Sequence, residues 1–144
     1  MKNILVAFFG VFLCTQASSE TIISCGESSG YSYFFEGGLV PKNSAGNWTE
    51  DGIKGGGISL VKAGEELDLL YKDASSRLVS TRADGGQVIM LGSHDGIINI
   101  LVVYPNITSE FFTFDTKNKV FVSSTHKYGD LSIRKVSSMS GLCQ

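Results

Sequence analysis

The sequence predicts an all-β domain: a single antiparallel meander of about nine short strands, with a barrel favoured over a sandwich. Three observations carry this. The stretch Ile97-Ile98-Asn99-Ile100-Leu101-Val102-Val103-Tyr104 is apolar or aromatic everywhere but Asn99, and mostly β-branched. It is too short for a membrane span, which needs about 20 residues, and too β-branched to favour a helix. It reads as a strand buried on both faces. Second, turn chemistry recurs every 8–12 residues or so, the spacing of antiparallel sandwiches and barrels. Third, no long window after the N-terminal segment keeps a helical period, so a parallel βαβ sheet is not expected.

The elements follow in order. Met1-Lys2-Asn3 is a short basic start, Ile4 to Cys14 is apolar, and Thr15-Gln16-Ala17-Ser18-Ser19 is small and polar. That is the layout of a secretory signal peptide, expected as a helix within 1–19 and cleaved after Ala17 or Ser19. The domain is then 20–144, exported to a periplasm or secreted. Tyr31 to Glu36 reads as the first strand, stopped by Gly37-Gly38 and approached through a flexible Gly26–Gly30 stretch. A loop from Leu39 to Gly52 holds the only tryptophan, Trp48.

Gly57 to Lys62 is the second strand. Glu66 to Lys72 alternates most clearly, with Leu67, Leu69 and Tyr71 on one face. Arg77 to Ala83 and Gln87 to Leu91 flank Asp84-Gly85-Gly86, a strong hairpin signal. The central strand comes next, bounded by His94-Asp95-Gly96 and Pro105-Asn106. Glu110 to Asp115 is Phe-rich, Thr116–Lys119 is a polar tip, and Val120 to His126 returns. Leu131 to Val136 is the last strand.

Composition bounds the partners. Removing 1–19 takes away Lys2 alone, so the mature charge is one unit more negative than the −2 of the full chain. A nucleic-acid footprint needs a basic patch, and none is present. No membrane span remains after cleavage. The mature chain keeps Cys25 and Cys143, near its two ends. In an oxidising compartment such a pair is most simply a disulfide. A barrel sets its first and last strands side by side, and the bond would pin that closure.

Gly26-Glu27-Ser28-Ser29-Gly30 matches the G-x-S-x-G pattern with Ser28 as nucleophile, but a strand follows where that elbow needs a helix. His94 and His126 are the only histidines, and each sits at a turn or a strand end. No catalytic residue, metal ligand or cofactor is assigned. Asn47-Trp48-Thr49 and Asn106-Ile107-Thr108 are glycosylation sequons, relevant only in a eukaryotic secretory pathway. Tyr31, Tyr33 and Trp48 are the candidate contact residues: the two tyrosines share one strand face, and Trp48 lies in the longest loop.

Cys25-Gly26, Gly30 to Gly38, Trp48-Thr49-Glu50-Asp51-Gly52 and Asp84 to Val88 resemble a group of small exported bacterial β proteins of unassigned function. That resemblance implies export and no particular activity. A further likeness is to the membrane-bound lysozyme inhibitors, small disulfide-bonded β-barrels whose inhibitory loops read S-G-x-x-Y and Y-x-x-x-T-K-G. Ser29-Gly30-Tyr31-Ser32-Tyr33 fits the first. Phe112 to Asn118 resembles the second, with Phe for Tyr and Asn for Gly. The motifs lie close together in that family and far apart here. The likeness implies inhibitory roles for Ser29 and Lys117.

The expected function is non-catalytic binding of a small apolar ligand, as in small barrels. The alternatives are a module that binds another exported protein through its loops and, third, a hydrolase using Ser28.

Overall fold

The computed structural model describes residues 19–144 except 74. The expected signal-peptide helix therefore lies, but for Ser19, outside the described residues. The rest is one antiparallel sheet curled into a half-barrel, as expected. Its strands are β1 (Ser19–Phe34), β2 (Trp48–Ile53), β3 (Gly57–Ala63), β4 (Glu66–Lys72), β5 (Leu78–Ser80), β6 (Gln87–His94), β7 (Ile97–Tyr104), β8 (Thr108–Asp115), β9 (Val120–Lys127) and β10 (Lys135–Cys143). The order across the sheet is β5-β4-β3-β1-β10-β9-β8-β7-β6, with β2 also paired to β1. First and last strands lie side by side, Phe34 opposite Lys135 and Cys25 opposite Cys143. The break in the cylinder falls in mid-chain, between β5 and β6.

β1 organises the sheet because it is long enough to serve two neighbours on one edge. Its first half pairs with β3 and its second half with β2, with β10 along the other edge. The reading that started the first strand at Tyr31 is corrected here: Ser19 to Gly30 is strand as well. Ile23 and Cys25 supply its inward anchors. Gly30 reflects close approach, since a Cβ there would lie 2.0 Å from the Ser138 carbonyl oxygen. Glycine and serine are in β1 to let strands meet closely, and the flexible approach expected at 26–30 is absent.

β7 spans the expected residues, and its inward side is the core: Ile100 and Val102 have no exposed surface. Its outward Leu101 and Val103 are half-buried, so the strand is buried on one face rather than two. Phe112 and Phe114 of β8, Phe121 of β9, and Leu60 and Leu69 of β3 and β4 complete the cluster. A fully buried side chain of this size contributes about 1.5–3 kcal/mol.

Three more boundaries differ from expectation. Trp48 to Ile53 is strand β2 rather than loop, because β1 offers it a free edge. The last strand is Lys135–Cys143 rather than Leu131 to Val136, so the serine-rich 137–140 is paired. Asp84-Gly85-Gly86 is a turn, but its flanks do not form a hairpin: β5 is three residues long and pairs only with β4. The turn instead runs along β4, where the Thr81 amide and hydroxyl both donate to the Leu69 carbonyl at 2.9 Å. Arg82 bridges the seam, its Nε donating to the Leu67 carbonyl at 2.6 Å and its terminal nitrogen to Val88 at 3.1 Å.

Candidate ligand site in the half-barrel

The half-barrel holds a cavity of about 430 Å³. It lies where β4, β7 and β9 end and β8 and β10 begin, lined there by Tyr71, Tyr104, Lys127, Glu110 and Lys135. Ile58, Phe112, Phe121 and Met139 also line it and are buried. Ser123, Thr125 and Ser137 add hydroxyls from β9 and β10. The pattern follows from strand alternation: Glu110, Phe112 and Phe114 point to one side of β8, and Phe121, Ser123, Thr125 and Lys127 to one side of β9.

Glu110 is the polar centre. Tyr71 donates its hydroxyl to Glu110 Oε2 at 2.5 Å, from β4 across to β8. Burial pushes the Glu110 carboxyl above its ordinary 4.5; the Tyr71 hydrogen bond and the Lys127 charge oppose this without cancelling it. Burial and the Glu110 charge together push the Tyr71 hydroxyl well above its ordinary 10.0. Tyr104, beside them, is also raised, chiefly by burial.

Next to the cavity, Lys135 Nζ donates to Asp51 Oδ2 at 2.5 Å and Ser32 Oγ to the same oxygen at 2.6 Å. Partial burial alone would raise the Asp51 carboxyl; Lys135 and Ser32 outweigh it and hold the group below 3.8. This cluster ties β2 to β10 across β1. At the mouth, Arg77 pairs with Asp73 at 3.5 Å, both exposed.

The predicted site residues fall in separate places. Cys25 and Cys143 are bonded, with Cα atoms 3.8 Å apart, closer than the roughly 4.4–6.8 Å typical of disulfides. Tyr31, Tyr33 and Trp48 do not line the cavity. They stand on the outer face of β1 and β2, with Tyr33 opposite Trp48 and the two rings 5.9 Å apart. Tyr31 and Trp48 are more than half exposed, at 53% and 55%. Ser28 lines the cavity, while His94 and His126 are exposed elsewhere, so neither histidine joins Ser28 there. Ser29 lies within β1 and Lys117 in the β8–β9 turn, paired with Asp95; β10 and β9 separate the two. Among the described residues no three His, Cys, Asp or Glu side chains gather closely enough to hold a metal ion.

Sequence reasoning missed Glu110 and Tyr71 as a pair. The signal was present in part: alternation sets Glu110 on the same face as Phe112 and Phe114, an unusual place for a carboxylate. That Tyr71 would meet it depends on how far the sheet curls. No protein family, curated protein or solved structure matches this chain.

Proposed function

We propose that this protein is a non-catalytic carrier or sensor of a small, mostly apolar ligand, held in the half-barrel with a hydrogen-bonding head against Glu110 and Tyr71. One observation carries the reading: a cavity of about 430 Å³ that joins buried Phe112, Phe121, Ile58 and Met139 to a carboxyl–phenol pair. Ligand sites run to about 300–1,000 Å³, apolar with a few convergent polar groups. The charges around it nearly balance: Arg77 pairs with Asp73 and Lys135 with Asp51, and of the remaining lining charges Lys72 and Lys127 are offset in number by Asp84 and Glu110. A neutral or zwitterionic head suits that balance better than a bare ion. Native mass spectrometry of the protein purified from its own compartment tests this: a retained small molecule is expected, and its absence at every purification stage speaks against it.

A second reading is a module that binds another exported protein through Tyr31, Tyr33 and Trp48, and it is favoured by the exposure of Tyr31 and Trp48. Within it, the likeness to lysozyme inhibitors makes Ser29 and Lys117 the residues to test in a lysozyme inhibition assay. Both readings place the chain in a periplasm or outside the cell. The disulfide is compatible with that, and among the described residues no helix is long and apolar enough to cross a membrane. Intact mass of the exported protein should begin at Ser18 or Glu20.

A further inference from the structure

We infer that the free edge of β6 is a self-association site, through which two copies of this chain pair antiparallel about a two-fold axis. β6 hydrogen-bonds to β7 along one edge. Along its other edge, among the described residues, the one side-chain bond is from Arg82 to the Val88 carbonyl. That bond and the neighbouring β4 close the seam at the start of the strand. Beyond it, Ile89 to His94 is open.

Three features single this edge out. Ile89, Met90 and Leu91 are 40%, 49% and 52% exposed. No residue from Gln87 to His94 carries a lysine, arginine, aspartate or glutamate side chain. Proteins guard long edge strands with such charges or with bulges; this one has no charge, and its one interruption is the bulge between Met90 and Gly92. The uncharged surface also continues inward from the edge, since Ile89 is in register with Leu101 and Leu101 with Phe111. Phe111 is itself 40% exposed.

A second copy fits better than a charged peptide. A strand paired with itself brings Ile89, Met90 and Leu91 against the same residues, and an isologous contact needs no other partner surface. A charged segment would set unpaired charges against apolar side chains. The contact closes at two copies. The sheet's other unpaired edges differ from it: β5 is three residues long, with the β4 backbone beside it taken by Thr81 and Arg82, and β2, paired to β1 alone, carries Glu50 and Asp51. Neither offers a second uncharged edge of this length for growth into a filament. The bulge between Met90 and Gly92 shortens the backbone ladder, so the side chains share in holding the pair. The cavity mouth lies at the far end of β7, at Tyr104, and stays open in the dimer.

Analytical ultracentrifugation of the mature protein from about 1 μM to 1 mM tests this. The mass is expected to double with concentration and stop there. Leu91→Lys and Ile89→Lys should each weaken association more than tenfold, while Tyr31→Lys on the outer face of β1 leaves it unchanged. Hydrogen exchange on the unmodified chain keeps the test independent of how the variants fold: amides of 89–94 should gain protection with concentration. A monomer at 1 mM, a dimer indifferent to both lysines, growth past two copies, or unchanged exchange at 89–94 would each overturn it.

Discussion

The Tyr71 hydroxyl donates to Glu110 Oε2 at 2.5 Å, and so β4 and β8 are joined across the cavity rather than through the sheet. This sets a pH dependence. Folding raises the Glu110 carboxyl above 4.5 because burial disfavours its charge. The folded state then holds the proton more tightly than the unfolded chain does. The stability from this group is present at and below pH 4.5 and is lost as pH rises through the raised value. Glu110→Gln should flatten that slope in melts taken from pH 4.5 to 8. A wild-type slope that the variant retains would assign it to another group.

Asp51 works in the opposite direction. Its carboxyl lies below 3.8 in the fold, so its contribution is present above that value and fades as pH falls through the folded value. Lys135→Met should raise the midpoint of acid unfolding. The same midpoint in both proteins would mean that the Asp51–Lys135 pair contributes nothing.

The two faces of β7 should differ sharply under substitution. Val102→Asp places an unpaired charge at a position with no exposed surface, which costs several kcal/mol and should prevent folding. Leu101→Lys, one residue before it but outward, should fold and melt cooperatively. Circular dichroism of the two variants checks this. A folded Val102→Asp would displace the core from this strand.

Much of the strand array is legible in the sequence because alternation and turns are local. Glu66 to Lys72 and Ile97 to Tyr104 end where their apolar patterns end. The failures are non-local. Nothing in Trp48 to Ile53 marks a strand until β1 offers an edge. Asp84-Gly85-Gly86 has the chemistry of a hairpin, yet β6 finds β7 and β5 finds β4, and the sheet opens at that turn. Composition sets Trp48 in the longest loop, whereas pairing with Tyr33 makes it the first residue of β2 and holds it on the outer wall. Cys25 and Cys143 are readable as a pair because they are the only two cysteines after residue 19 and they flank the array.

Their bond spans a sequence separation of 118 residues. Chain entropy assigns roughly 4–5 kcal/mol to a loop of that size, a large share of the 5–15 kcal/mol or so that holds a small domain. Reduction should lower the melting temperature by many degrees. Thiol counting on the native protein should find neither Cys25 nor Cys143 free.

The most direct test of ligand binding fills the cavity. Ser123 lines it and is 6% exposed, so Ser123→Phe puts a ring where the ligand's apolar body would lie. Titration with a fluorescent apolar probe should give saturable one-to-one binding to the wild type. Ser123→Phe should weaken it more than tenfold, with folding verified by its melt, while Trp48→Ala on the outer wall should leave it unchanged. Binding lost in Trp48→Ala and kept in Ser123→Phe, or no saturable binding at all, would contradict a ligand site inside the half-barrel.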